Sequence, residues 1–341
     1  MPAGADPKGT GPVGIGVAIA GWGMAVPERR VTNDDLAQMV DTSDAWITDR
    51  TGIKERRWAG EGESTATLAI EAGAAAIKSA DLCPSDIGCC IVATCTPEQP
   101  IPPTGAFVQE GLGLRCGAFD IDAACSGFVY ALVVGATMVA AGGFGPVLVI
   151  GSETLSRVAD PADRGTNVLF GDGAGAVVLV PSADRNLLSW DLNCDGSTAH
   201  LLYIPGGGSR RPLTAETVAA GEQWLKMEGK EVYRRAVRAI VESAETAMAT
   251  AGVDASGIDL FVPHQANIRI IDGAASRLGF PPEKVFVNIE RYGNTSAASV
   301  PIALAEAADE GRLHDGDLVL LSGFGAGMSW ASAVVRWGQG R

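Results

Sequence analysis

Histidine is scarce in this chain. His200, His264 and His314 are the whole complement in 341 residues. Neither a CxxC pair nor an HExxH motif accompanies them, so a metal site is not expected. An excess of positive charge is also missing. Lys and Arg number 26 against 40 Asp and Glu, for a net charge of −14. That excludes a broad nucleic-acid surface and obliges any acidic partner to find a local basic patch. Long uninterrupted apolar runs are absent as well. The stretch from Phe128 to Val149 is broken by Gly135, Gly142, Gly143, Gly145 and Pro146. It reads as a buried helix, a turn and a strand, not as a membrane span. The seven cysteines are odd in number and lack a disulfide-framework spacing. They read as reduced thiols of a cytoplasmic protein. Residues 1–13 are small and rich in Pro and Gly without an apolar core, which fits a loose tail and not a signal peptide.

What is present is a buried, glycine-rich α/β pattern. The chain is 47% hydrophobic, only 19% charged, and holds 44 glycines. Its elements repeat. An Ala-rich helix at 66–81 leads through Ala80–Gly88 into a strand from Cys89 to Thr94. A second Ala-rich helix at 230–251 leads through Ala251–Asp259 into a strand from Leu260 to Val262. Phe170-Gly171-Asp172-Gly173-Ala174-Gly175 then precedes one apolar strand, and Phe324-Gly325-Ala326-Gly327 precedes another. Two similar halves, 14–190 and 191–341, are expected to pack as one unit. Helices alternating with continuous apolar strands predict α/β layers with mainly parallel sheets. Residues 205–224 form the longest irregular segment, either a lid over a site or a solvated surface loop.

Cys125 stands where a strand-like run, Phe119 to Ala123, meets a small-residue, helix-compatible one, Gly127 to Leu132. Free N–H groups and the helix dipole at such a join favour a thiolate. The alternative is an ordinary buried free cysteine. His264 takes the matching place in the second half, after Val262-Pro263 and before the helix Ile268–Leu278. A helix start there should keep the imidazole neutral, as donor or acceptor. Asn294 follows Gly293 at the head of another small-residue helix, where it either caps the helix or aims an amide into the same cleft. Phe324–Gly327 offers backbone N–H groups for an oxyanion. A thiol, an imidazole and a carboxamide are consistent with acyl transfer through a thioester. By themselves they do not separate hydrolysis from condensation.

These strings resemble the β-ketoacyl-acyl carrier protein synthase III family of the thiolase superfamily. The resemblance runs from about Val17 to Trp337. It is carried by Asp41–Ile47 with Arg50–Ile53, Ala124–Phe128, Asp160-Pro161 with Asp163–Gly165, Phe170–Gly175, Pro263–Asn267 and Gly293–Ser299. It implies a thiolase-like fold of two α/β halves in α/β/α/β/α layers, and a homodimer. The implied reaction joins a short acyl-CoA to malonyl-acyl carrier protein with loss of CO2, without a metal or redox cofactor, through an acyl-Cys125 intermediate. In it the N–H groups of Cys125 and Ala326 form the oxyanion hole, and His264 and Asn294 support decarboxylation. CoA contacts are implied at Thr42, Trp46, Arg50, Arg164, Gly229 and Asn267. Ile101 and Phe170 are implied to shape the acyl pocket, with Ile101 acting across the dimer. On the basic rim, Arg234 and Arg269 are expected to meet the acidic carrier protein. Ile101 in place of an aromatic gate, Ser126 after the nucleophile and Ala326 within its turn depart from common family patterns. They point to a starter other than acetyl. The competing readings are an acyltransferase or starter synthase of specialised metabolism in the same superfamily, and a catalytically inert scaffold.

Overall fold

The computed structural model describes residues 14–338; the expected tail at 1–13 lies outside them. The first half contains strands β1 (Val17–Ala25), β2 (Cys89–Ala93), β3 (Gly117–Ile121), β4 (Val147–Thr154) and β5 (Asp172–Pro181). Its main helices are α1 (Asp44–Thr51), α2 (Thr65–Ser79) and α3 (Gly127–Ala141). The second half contains β6 (Leu187–Cys194), which moves the start of this half from the expected 191 to Leu187 or before, with β7 (Leu260–Pro263), β8 (Leu318–Gly325) and β9 (Ser329–Arg336). Its main helices are α4 (Gly229–Ala251), α5 (Ile268–Leu278) and α6 (Ser299–Asp309).

The two sheets share one strand order. The first runs β1-β5-β4-β2-β3 and the second runs β6-β9-β8-β7. A parallel bridge from Phe261 to Val285 stands where β3 stands in the first sheet. The directions agree as well. β1–β5, β5–β4, β6–β9 and β9–β8 are antiparallel, whereas β4–β2, β2–β3 and β8–β7 are parallel. The sheets are therefore mixed, which corrects the expectation of mainly parallel ones. The cause is the return after β4 and after β8. Each time the chain comes back antiparallel beside the strand it has left, through Ala326–Met328 after β8 and through residues 155–171, which hold a short helix at Arg164–Asn167, after β4.

Hydrophobic patterning sets the layers. α3 is apolar on all sides (Phe128, Val129, Leu132, Val133, Val139 are buried), so it suits a position covered on both faces. It packs between the two sheets together with α6, in one core with Ile91, Val149, Val177, Leu321 and Ala333. The same stretch, Ala124–Ala141, is long and apolar enough to cross a membrane, but here it fills the centre of the protein. α4 is amphipathic and buries Val232, Ala236, Val237, Ile240, Ala244, Ala247 and Met248 against β6, β8 and β9. α2 covers the outer face of the first sheet with Leu68, Ala69, Ala72 and Ala76. The result is the five-layer α/β/α/β/α arrangement.

Residues 205–224 are more ordered than their composition suggests. They hold a helix at Ala215–Ala219 with a Thr214/Thr217 capping box. A two-bond Arg211–Glu222 ion pair (2.7 and 2.8 Å) closes the segment.

Candidate active site

The duplication extends to single residues at the centre of the fold. In the first half the Asp122 carboxylate accepts the N–H of Ala124 (3.0 Å), and Ala124 has φ +46°. A 3₁₀ turn, Ala124–Ser126, then opens into α3. In the second half the Asn294 Oδ1 accepts the N–H of Ser296 (2.9 Å), and Ser296 has φ +47°. A 3₁₀ turn, Ser296–Ala298, opens into α6. A left-handed conformation at a non-glycine residue is costly and persists only where its surroundings fix it. Both such turns flank one cavity.

Cys125, His264 and Asn294 line that cavity of about 140 Å³ together with Ala124, Ser296 and Ala326. The three groups predicted to act together are thus brought to one place from positions far apart in the chain. Cys125 is partly exposed, whereas His264 and Asn294 are buried. A larger neighbouring pocket of about 590 Å³ shares Cys95, Ala124, Leu155, Leu202, Leu225 and Ala326 as a common wall.

The electrostatics of the thiol differ from the expectation. Burial pushes the Cys125 thiol up to about 12; a hydrogen bond with Ser296 opposes this and the Glu153 and Asp122 carboxylates add to it. A helix start alone does not make a resting thiolate here. His264 is held neutral, as expected, but by burial, which lowers it to about 3. α5 begins only at Ile268 and is capped by Asn267, so the helix start lies beyond the ring. His264 Nδ1 lies 2.5 Å from Ser299 Oγ, and the Gln265 N–H reaches the same oxygen at 3.4 Å. When the hydroxyl donates to Nδ1 the ring proton stands on Nε2; the donor and acceptor roles of this contact follow the tautomer. Asn294 Oδ1 is engaged by Ser296, which leaves its Nδ2 as the free end of the carboxamide.

Glu153, at the end of β4, is a feature that sequence reading missed. It is fully buried and accepts hydrogen bonds from Thr94 Oγ1 (3.2 Å), Cys95 N (3.2 Å), Thr96 N (3.0 Å) and Thr96 Oγ1 (2.5 Å). Cys95 Sγ and the N–H of Ala297 also approach it, at 3.2 and 3.4 Å. Burial raises its pKa, and these donors pull it back. It ties the turn after β2 to the turn after Asn294. Leu202, Leu225 and Met227, at the ends of the ordered 205–224 region, also wall the cavity without having been anticipated.

Among the other predicted residues, Phe170, Gly229 and Asn267 line the cavity. Asn267 Nδ2 donates to the Arg50 carbonyl (3.0 Å), which fixes α1 at the rim. Trp46 on α1 carries two guanidinium groups against its ring, Arg50 at 4.6 Å and Arg164 at 4.7 Å from the centroid. That spacing leaves no room for a base between indole and Arg164. Stacking of adenine there requires Arg164 to swing aside, releasing its 2.8 Å bond to the Asp41 carbonyl. Thr42 Oγ1 is buried without a hydrogen-bond partner. Ile101 is 84% exposed and does not line the cavity of its own chain. Arg234 and Arg269 are exposed but not bare: Arg234 pairs with Glu231 (2.6 Å) and Arg269 with Asp49 (3.0 Å).

The chain as a whole is similar to known proteins. Residues 119–196 match the family described as 3-oxoacyl-[acyl-carrier-protein (ACP)] synthase III, and residues 248–337 match its C-terminal part. A beta-ketoacyl-[acyl-carrier-protein] synthase III from Roseiflexus castenholzii is 51% identical over 325 residues, covering 95% of this chain and 98% of that protein. The chain belongs to the 3-oxoacyl-[acyl-carrier-protein] synthase III family. The crystal structure of the Aquifex aeolicus synthase III superposes with a TM-score of 0.88 at 44% identity, covering 94% of this chain and 100% of that one. The priming β-ketosynthase of the R1128 polyketide pathway superposes with a TM-score of 0.89 at 36% identity, covering 96% and 98%. The thiolase-like fold and the acyltransferase class of this synthase III chain follow from these likenesses.

Proposed function

We propose that this condensing enzyme joins a short acyl-CoA to malonyl-acyl carrier protein through an acyl-Cys125 intermediate, at the start of fatty acid synthesis. The observation that carries the reading is the convergence of Cys125, His264 and Asn294 on one cavity. Cys125 sulfur attacks the acyl-CoA thioester, and its proton leaves on the departing CoA thiol. The N–H groups of Cys125 and Ala326 receive the tetrahedral oxyanion, each contributing ~2.7–4 kcal/mol. Malonyl-acyl carrier protein then enters. His264 Nε2–H and Asn294 Nδ2–H donate to its thioester carbonyl while the bond to CO2 breaks. The resulting enolate carbon attacks the acyl-Cys125 carbonyl. Collapse releases the 3-oxoacyl product and the Cys125 thiolate, which takes up one proton. Decarboxylation supplies the drive, so the steps call on no metal or redox cofactor.

Trp46, Arg50 and Arg164 serve the adenine and phosphates of CoA, with Thr42, Gly229 and Asn267 along the pantetheine. Phe170 bounds the acyl site. The larger neighbouring pocket supports a starter longer than acetyl. Arg234 and Arg269 receive the carrier protein by exchanging their present acidic partners for its carboxylates. β3 lies at the edge of its sheet with Phe119 and Ile121 partly uncovered, and Ile101 is exposed nearby in sequence. Both features support a homodimer in which Ile101 serves the partner's acyl site. Reduced cysteines support a cytoplasmic setting.

Asn294→Ala is the test. It should leave acylation of Cys125 by acyl-CoA largely intact and lower CO2 release from malonyl-acyl carrier protein by at least tenfold. Equal loss in both half-reactions would refute this division of roles. A second reading keeps the chemistry but places it in a specialised pathway, as for the R1128 neighbour. Competition among acyl-CoA starters, read by product mass, separates the two.

A further inference from the structure

We infer that Ser329, oriented by Ser126, is the positioning residue that holds the two halves of the oxyanion site together. The inference rests on the Cys125/Ala326 oxyanion reading above. The two amides belong to turns from opposite halves of the fold, Ala124–Ser126 and Ala326–Met328. Nothing covalent joins them for about two hundred residues. They meet because β8 runs against the nucleophile turn. A Cβ added at Gly325 would lie 2.5 Å from the Cys125 nitrogen, and one added at Gly323 would lie 2.8 Å from the Ser126 Cα. Side chains are excluded from this contact, so backbone lies on backbone and neither turn is locked by interdigitated packing.

Two buried hydroxyls supply the lock. Ser126 is fully buried and Ser329 is 5% exposed. Ser329 Oγ lies 2.8 Å from the Ala123 carbonyl oxygen and 3.0 Å from that of Ala326, so it reaches both turns. Ser126 Oγ lies 2.9 Å from Ser329 Oγ and 2.7 Å from the Ala123 carbonyl. The pair has two hydroxyl protons and two carbonyls to satisfy. When Ser126 donates to Ala123, Ser329 is free to donate to Ala326; when Ser126 donates to Ser329, Ser329 passes its proton to either turn. Ser329 is the bridge and Ser126 steers it. Neither side chain lines the cavity that holds Cys125, but Ser329 borders the larger neighbouring pocket beside Ala123 and Ala326. An effect on the spacing of the amides and on the left-handed Ala124 should be the same for a small and a larger starter, whereas a direct contact with the starter should not. Oxyanion stabilisation depends on donors preplaced at about 2.7–3.1 Å from the developing charge. A bridge that sets their spacing acts on acylation and not on the His264/Asn294 pair.

The experiment uses the full-length enzyme with acetyl-CoA and isobutyryl-CoA, following the mass increase at Cys125, and measures CO2 release from malonyl-acyl carrier protein separately. Ser329→Ala should slow acylation about tenfold, at a maximal rate and not through KM. Ser126→Ala should slow it about threefold. The double variant should match Ser329→Ala, because Ser126 acts through Ser329. Ser329→Thr, which keeps the hydroxyl, should restore the wild-type rate. CO2 release should stay within twofold throughout. Unchanged acylation in Ser329→Ala overturns the inference, as does an equal fall in both half-reactions. Should Ser329→Ala not fold, Ser126→Ala and Ser329→Thr carry the same comparison, and unchanged acylation in Ser126→Ala or an equal fall in both half-reactions would overturn it. Cys125→Ala separates the levels: abolished labelling in that variant with normal labelling in the serine variants rejects only the bridge, whereas persistent labelling in Cys125→Ala rejects the nucleophile itself.

Discussion

His264 Nδ1 sits 2.5 Å from the hydroxyl of Ser299, the first residue of α6. One helix thereby orients the imidazole, while Asn294 caps the turn that leads into the same helix. The two donors proposed for the malonyl thioester are thus held by one short segment.

Ser299→Ala should therefore disturb decarboxylation and spare acylation. Loss of an orienting hydrogen bond worth about 1 kcal/mol corresponds to roughly a fivefold fall in CO2 release. Ser299→Thr should retain most of the rate. The two half-reactions, measured apart, decide it.

Acid should weaken the fold through His264 before most carboxylates titrate. Its pKa is lowered to about 3 from 6.5, so the unfolded chain binds the extra proton between those values. Stability from this group is whole above pH 6.5 and is lost as pH falls, by about 1.4 kcal/mol per unit. Urea midpoints at pH 6.5 and 5.5 should differ accordingly, and the difference should shrink in His264→Asn. Across pH 6–8 the imidazole stays neutral, so CO2 release should show no step assignable to it.

Alkylation of Cys125 by iodoacetamide should keep rising with pH. With the thiol pushed up to about 12, the thiolate fraction grows close to tenfold per pH unit from 7 to 10. A plateau near pH 7 would show a resting thiolate and contradict the burial argument.

Glu153→Gln should destabilise the protein although its shape is kept. The carboxylate oxygens accept from Thr94, Cys95, Thr96 and Ala297, and an amide NH2 turned toward those donors accepts nothing. A cost of about 1–3 kcal/mol is expected, visible as a lower Tm and denaturant midpoint. Because Glu153 braces the turn after Asn294, the residual folded enzyme should also lose CO2 release more than acylation.

Much of this protein can be read along the chain. The strand-to-helix join at Cys125, the apolar helix behind it, the repeated order of helices and strands, and the His264 and Asn294 strings are local patterns that composition and periodicity expose. What lies across the chain cannot be read that way. Mixed strand directions depend on where each strand docks, which the alternation of α and β does not state. The order within 205–224 depends on Arg211 meeting Glu222 and on Leu202 and Leu225 finding the cavity wall. The sequence suggested a helix-activated thiolate; burial among Glu153, Asp122 and apolar neighbours decided otherwise.

By itself the sequence determined the elements, their duplication and the candidates for the reacting groups, because these follow from side-chain chemistry and short-range periodicity. Only the tertiary structure decided which groups share a cavity and what braces the two turns. Those outcomes come from hydrogen bonds and desolvation between residues 57 to 203 positions apart, such as Thr96 with Glu153 or Ser126 with Ser329. Such energies do not exist until distant segments have folded against each other.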